Sequence, residues 1–224
     1  NSYEVNMKKL NLELVKAGFA NGVADGRPLT EDEKRIMIAN AEIAFGNFLD
    51  ALKVNWREDP NSDKTPYRVA KAYVNDLWAG RYEAPPSITT FPSDGYDGMV
   101  FEGGIPLTSM CSHHHQTIMG KVHVAYIPGK DSQVIGLSKL NRLVEHFGRR
   151  GAIQEQLTVA IHNAMDTIIS DNAGVAVMID ATHNCVQCRG VKHGGASMKT
   201  SKLTGAFKDD AATRNEYYEF VRGY

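Results

Sequence analysis

The sequence predicts an α+β protein with a mainly antiparallel sheet and a helical N-terminal arm. Apolar residues recur with a helical period between about residues 30 and 80. Beyond about residue 98 the pattern runs strand pair, two helices, strand pair, helix. Strands grouped in pairs, with the helices set apart from them, favour an antiparallel sheet. A length of 224 residues suits one domain with an appended arm.

Charge and cysteine content exclude several classes of function. The 25 basic and 26 acidic residues give a net charge of -1, which predicts no bulk attraction to nucleic acid or to a membrane surface. Three cysteines cannot build a disulfide framework, so reduced thiols, metal binding and a cytoplasmic setting are expected. The first thirty residues lack an uninterrupted apolar core, which predicts neither a signal peptide nor a membrane span.

The N-terminal part is predicted to be helical. A short helix is expected over residues 1–22. Thr30 and Glu33 fit a capping box, in which each side chain bonds the other residue's backbone amide, at the start of a helix over 31–53. Its apolar stripe, with spacings of three and four, consists of Ile38, Ala41, Phe45, Phe48 and Leu52.

A domain boundary is predicted after this helical part. The Thr-Pro pair at 65–66 reads as the N-cap and first turn of another helix, which runs to Gly80. Prolines and glycines are then dense between 84 and 98, where the period changes from helical to strand-like. We therefore predict a helical arm over residues 1–84 and a second domain over residues 85–224.

The second domain is predicted to alternate between strands and helices. A hairpin is expected directly after the histidine-rich stretch, with its turn at 128–131. Ser138 is expected to cap the first helix. The predicted strands are 99–103, 120–127, 133–137, 175–182 and 203–207, and the helices follow Ser138, follow the break at 148–151, and cover 210–224.

Two stretches carry most of the chemistry. Residues 110–116 and 182–190, with three residues on either side, hold all three cysteines and five of the eight histidines, which predicts a zinc site. A Cys-x-x-His pair plus one distant cysteine would give three ligands and an open fourth position. A closed structural site of Cys111, one histidine, Cys185 and Cys188 is the alternative, and spacing alone does not choose between them.

The chain resembles the GTP cyclohydrolase I family. The match runs from residues 65–68 to residues 203–207 and the terminal helix. It implies a tunnelling fold, in which a four-stranded antiparallel sheet backed by two helices assembles into an oligomeric barrel. A homodecamer of two pentamers, with active sites between subunits, is expected. The resemblance rests on four motifs in the family's order: Cys111-Ser112-His113-His114, GLSKLNR at 136–142, QEQLT at 154–158, and His183-Asn184-Cys185.

The resemblance implies a zinc-dependent hydrolase. Its metal ligands would be Cys111, His114 and Cys185, which favours the open site. Zinc would activate a water for attack on C8 of the guanine ring of GTP. Formate and 7,8-dihydroneopterin triphosphate would be the products, in the first step of pterin and folate, or of 7-deazaguanine, synthesis.

Other motif residues take roles implied by the same resemblance. His183 would protonate N7 as a general acid, with His113 as its catalytic neighbour. Ser138 would lie near the ribose. Gln154 and Glu155 would bind the base, because a carboxylate can accept from both N1-H and the 2-amino group of guanine. Adenine offers no such pair, so it should be rejected.

A triphosphate requires several fixed cations. Lys139, Arg142 and Arg189 match the family's phosphate-binding positions, and Arg68 with Lys71 would add charge from the arm. Read without the family, Arg68 and Lys71 are more typical of a solvated helix face. No glycine-rich phosphate loop is present, which excludes a P-loop enzyme.

The chain departs from the family pattern at three positions. Ser112 replaces the usual glutamate, His115 replaces an apolar residue, and Cys188 is additional. A lost carboxylate beside the metal would affect rate or metal preference. Two competing functions follow: a nitrile reductase of the same fold, which uses a thiol nucleophile and NADPH and no metal, and a zinc-stabilised scaffold without turnover. His123 has no role in the family and is expected to be a hydrogen-bonded structural residue.

Overall fold

The computed structural model describes residues 28–130 and 132–224. The chain divides into two compact units, Asn1–Ala84 and Pro85–Tyr224. The helix predicted over residues 1–22 lies outside the described residues. Within the described ranges, no helix is both long enough and apolar enough to cross a membrane.

The N-terminal unit consists of helices. They are α1 (Glu31–Ala51), α2 (Thr65–Ala72), which continues into a π-helical turn (Tyr73–Leu77), and α3 (Ala79–Tyr82). The predicted capping box is confirmed, because Thr30 N donates to Glu33 Oε2 (2.8 Å) and Glu33 N donates to Thr30 Oγ1 (3.2 Å). The predicted cap at Thr65 is wrong: Lys64 is the N-cap and Thr65 is already helical.

The core of this unit is small. Met37, Val74 and Tyr82 are buried together, with Leu29, Ile38 and Trp78 packed against them. The C-terminal half of α1 does not share this core, since Ile43, Phe48 and Leu52 are each more than half exposed. The predicted stripe is thus half-buried in its first three residues and exposed in its last two, because the eight residues of α2 are too few to cover a 21-residue helix.

The second unit is built on an antiparallel sheet with strand order β2-β3-β5-β6. A separate two-stranded sheet pairs β1 with β4. The strands are β1 (Thr90–Pro92), β2 (Val100–Met110), β3 (Thr117–Pro128), β4 (Gln133–Ile135), β5 (Asn172–His183) and β6 (Ser197–Leu203).

Helices cover both faces of the sheet. They are α4 (Leu137–Gly148), α5 (Gln154–Ile168), α6 (Asn184–Gln187), α7 (Ala206–Asp209) and α8 (Ala211–Arg222). One face packs against α4 and α5. On the other, Ala125 and Ala176 are buried against Phe207 and Tyr217, and the Tyr217 hydroxyl donates to the His123 carbonyl (3.0 Å). The predicted α+β class, with an antiparallel sheet backed by two helices, is confirmed.

Three local predictions are wrong. The hairpin is formed by β2 and β3 around residues 111–116, whereas β4 bonds to β1. The cap of α4 is Gly136, so Ser138 lies in the first helical turn. The last strand ends at Leu203, before Gly205, whose φ of +53° turns the chain. A side chain at Gly205 would place its Cβ 2.1 Å from the Ala173 carbonyl oxygen, so this position requires glycine.

Candidate active site

The register of the sheet brings the two chemical stretches together. Met110 at the end of β2 lies opposite Thr117, and the next residue of β3, Ile118, lies opposite His183 at the end of β5. The Asn184 amide also donates to the Thr117 hydroxyl (2.5 Å). The loop after β2 and the turn after β5 therefore meet at one end of the sheet.

The loop that follows β2 is closed by its own backbone. Cys111 N donates to the Gln116 carbonyl (2.8 Å), and His115 N donates to the Cys111 carbonyl (3.0 Å). His115 has a φ of +51°, in the left-handed region that closes such turns. His113 and His114 lie exposed on this loop, with ring centroids 6.3 Å apart.

Cys111 and Cys185 form a thiol pair. The Cys111 side chain is buried, and its thiol lies close enough to Cys185 to affect the pKa of that residue. Burial raises the pKa of Cys185, the Cys111 thiol raises it further, and Arg189 opposes the shift. Within 28–130 and 132–224, no group of three His, Cys, Asp or Glu side chains is close enough to hold a metal ion. The chain thus brings together two of the three predicted ligands, while His114 stands apart.

Cys188 makes its hydrogen bonds outside this pair. Its thiol is exposed and donates to the Asn184 carbonyl (2.7 Å), with Gln116 Oε1 at 3.5 Å. The thiol therefore satisfies a backbone carbonyl of the short helix α6.

His183 is held by the start of α5. Its Nε2 lies 2.7 Å from Oε1 of Gln154, a side chain with no solvent exposure. Burial lowers the pKa of His183, and the charge of Glu155 raises it. Glu155 is exposed in the first turn of α5, where a helix N-terminus favours a carboxylate. The carboxylate of Glu155 is thus near enough to His183 for its charge to raise the pKa of that proton carrier, and both lie near the thiol pair in sequence and register.

The predicted cations are more dispersed. Lys139 and Arg142 lie three residues apart on the first turns of α4, close to the exposed Ser138. In the part of the chain that the structure describes, no hydrogen bond joins these three residues to the thiol pair or to His183. Arg68 is exposed on α2 in the N-terminal unit and donates to the Asn61 carbonyl (3.3 Å).

Sequence reasoning missed two residues behind His183. The Gln154 amide donates to Thr200 Oγ1 (3.1 Å), which lies 2.7 Å from Thr158 Oγ1. Thr158 follows Gln154 by one helical turn, a spacing that was visible in the sequence. Thr200 lies on β6, and only the strand pairing shows that it belongs here.

The fold and these residues define an α+β enzyme with its candidate site at one end of an antiparallel sheet. A sequence model of GTP cyclohydrolase I matches residues 41–222. The GTP cyclohydrolase 1 of Haemophilus ducreyi is 38% identical over 216 residues, 96% of this chain and 95% of that protein. The Corynebacterium glutamicum protein of the same name is 42% identical over 172 residues (75% and 86%), and that of Salmonella arizonae is 46% identical over 166 residues (73% of each).

The chain belongs to the GTP cyclohydrolase I family. The predicted resemblance is confirmed, and so is the prediction of a hydrolase. Among solved structures, the apo form of an archaeosine synthase QueF-like protein overlaps with a TM-score of 0.36 at 16% identity, covering 55% of this chain and 97% of that one. An overlap this low carries no argument.

Proposed function

We propose that this protein hydrolyses and rearranges GTP to 7,8-dihydroneopterin triphosphate and formate, as the first step of pterin and folate, or of 7-deazaguanine, synthesis. The observation that carries the proposal is the convergence of the Cys111–Cys185 thiol pair and the His183–Glu155 pair at one end of the sheet. Opening a purine ring requires an activated water, a proton donor and a group that holds the base.

Zinc is the proposed cofactor. The donor chemistry fits, because two adjacent thiols, once deprotonated, are soft ligands that zinc prefers, and the Cys111 loop supplies His114 as the third. Cys188 is left out of the set because its thiol is bonded to the Asn184 carbonyl. Zinc bound there supplies Lewis-acid activation of water.

The remaining residues bind the substrate and move protons. We propose that Glu155 accepts from N1-H and from the 2-amino group of guanine, since its carboxylate is exposed beside His183. His183 holds the proton that N7 needs before the ring opens, and His113 assists from the Cys111 loop. A base without the two donors would leave the Glu155 carboxylate unpaired, which is the basis for rejecting adenine.

The triphosphate is proposed to bind to cations from several elements. Lys139 and Arg142 on α4 form one group, with Ser138 beside them near the ribose. Arg189 lies near Cys185, whose pKa it lowers. Arg68 is proposed to contribute from the helical arm (residues 1–84), and the residues from 85 onward are proposed to be the catalytic domain. Guanidinium groups suit phosphate because they bond two oxygens at once.

We also propose that the chain works as an oligomer, a decamer of two pentamers. Ile43, Phe48 and Leu52 leave an apolar surface on α1. The strands β2 and β6 end the four-stranded sheet, so each has one edge without a partner in that sheet. Size-exclusion chromatography with light scattering tests the assembly, and a fully active monomer would contradict it.

The decisive experiment is incubation of purified protein of known zinc content with GTP. Formate release and the pterin absorbance should rise together, and a Cys185→Ser control should show neither. Zinc-loaded protein that releases no more formate than this control would refute the proposal. Oxidation of NADPH with a 7-deazaguanine nitrile, independent of zinc, would favour the competing reductase.

A further inference from the structure

We propose that Gln154 is a positioning residue that orients the ring of His183 by accepting a hydrogen bond from its Nε2, so that Nδ1 is the nitrogen left to face the substrate. The assignment of the substrate rests on the proposed function. The protonation of the two ring nitrogens does not, because it follows from the hydrogen bonds around Gln154.

The orientation of the Gln154 amide follows from the atoms around it. Its Nε2 lies 3.2 Å from the Ile179 carbonyl and 2.9 Å from the Met198 carbonyl. Carbonyl oxygens only accept hydrogen bonds, so the atom facing them must be the NH2 group. The opposite orientation would place Oε1 against two acceptors in a fully buried site, and unpaired buried groups of this kind are costly.

The orientation of the Gln154 amide determines the tautomer of His183. Once the NH2 group faces the carbonyls, Oε1 faces His183 Nε2 at 2.7 Å. Oε1 can only accept, so Nε2 must donate and therefore carries a hydrogen. Among the described residues, Nδ1 of His183 has no hydrogen-bond partner. The neutral ring then has its lone pair on Nδ1.

The Gln154 side chain is itself held rigidly by further hydrogen bonds. Gln154 also donates to Thr200 Oγ1, which pairs with Thr158 Oγ1, and Thr158 donates to the Gln154 carbonyl (2.9 Å). These bonds join α5 to two strands around a side chain with no solvent exposure. A saturated network of this kind fixes a single arrangement. The side chain of Gln154 therefore acts through His183, and all its polar atoms are already bonded to protein.

The test of the tautomer needs no activity. Magic-angle-spinning NMR of the zinc-loaded protein labelled with [15N]histidine reports which ring nitrogen of His183 carries hydrogen. We expect Nε2 to be protonated in the wild type. A His183 that is protonated on Nδ1 alone would overturn the inference.

Two variants test the positioning role. Gln154→Leu removes the acceptor, so it should release His183 into a mixture of tautomers and lower kcat by about 10- to 100-fold, as loss of an orienting partner typically does. Gln154 was expected to bind the base with Glu155, but its side chain has no solvent exposure and its polar atoms are bonded to protein. KM for GTP should therefore change little, because the proposed contact of Glu155 with the base remains. Thr167→Val is the matched control: it deletes a threonine hydroxyl of the same helix that bonds a backbone carbonyl, that of Asn163 (2.9 Å), but lies outside the Gln154 network, so it should retain both the tautomer and kcat.

The outcomes separate this inference from the proposed function. Gln154→Leu with an unchanged His183 tautomer and unchanged kcat would refute the positioning role. If the variant does not fold, the wild-type spectrum alone still decides the tautomer. A wild-type protein that carries the proton on Nε2 but releases no formate from GTP would refute the proposed function and leave the inference standing. An active protein with the proton only on Nδ1 would refute the inference and leave the proposed function standing.

Discussion

Replacing Cys185 and Cys188 separately by serine tests which thiols hold the proposed zinc. Cys185 lies close enough to Cys111 for that thiol to raise its pKa, whereas the exposed Cys188 thiol bonds the Asn184 carbonyl at 2.7 Å. Serine can keep the bond made by Cys188, so that variant should retain one zinc per subunit and most of its turnover with GTP. Cys185→Ser should lose both, because a serine hydroxyl is a poor substitute for a thiolate ligand.

The loss of stability in Cys185→Ser can be estimated from the linkage between zinc binding and folding. Loss of an orienting partner outside the ligand set already weakens metal affinity about 10- to 100-fold, so loss of a ligand should cost at least about 100-fold. Zinc at about 100 times the wild-type dissociation constant stabilises the folded chain by about 2.7 kcal/mol. At the same zinc concentration, Cys185→Ser would lose about 2 kcal/mol of this. For a chain of 224 residues, that loss lowers Tm by roughly 4–8 °C.

Zinc content after mild chelation, and thermal unfolding with and without added zinc, measure the effect. Apo forms of the two variants should unfold at temperatures close to that of apo wild type, since neither change opens a cavity. If Cys188→Ser sheds zinc as readily as Cys185→Ser, the site has four protein ligands. The three-ligand assignment, and with it the proposed activation of water, would then be wrong.

Three further predictions concern the base, the pH dependence and the core. Glu155→Gln should weaken GTP binding, because an amide offers one acceptor to two guanine donors; unchanged affinity would show that the base is recognised elsewhere. Burial holds the pKa of His162 below 6.5, so the unfolded chain binds more protons and stability should fall as pH drops below 6.5. In His162→Gln, urea titrations at several pH values should give a shallower decline, and an equal slope would contradict this. Tyr217→Phe removes a buried bond to the His123 carbonyl and should cost about 1–3 kcal/mol in urea unfolding; a change within about 0.5 kcal/mol would show that the bond is dispensable.

Local periodicity located the helices and strands better than it predicted which strands would pair. The capping box and apolar spacing located α1 to within two residues of its observed end at Ala51. The turn residues at 128–131 correctly marked the end of β3, but they did not reveal that β4 would bond to β1 instead. A turn signal is set by a few residues, whereas strand pairing depends on residues more than forty positions apart, such as Thr90 and Ile135.

In the candidate site as well, local motifs were better predicted than the contacts between distant residues. The motifs around Cys111 and Cys185 predicted that the two thiols would lie close together, and the Cys111 thiol is near enough to raise the pKa of Cys185. His123 is buried and accepts a hydrogen bond from Gly104 N (3.2 Å), as expected for a structural histidine. The contacts of Gln154 were not predictable, because they depend on carbonyls of two strands whose register no short motif encodes.

That register also explains why the site lies at the end of a buried central strand, β5. Val175, Val177 and Ile179 of β5 are fully buried on the face that packs against α5. His183 shares this face by alternation, and Cys185 follows it by two residues. A slip of one residue would turn the apolar side chains to the opposite face and carry His183 away from Gln154. The burial that stabilises β5 therefore also fixes the position of the proton carrier, so the geometry of the site is specified by the core.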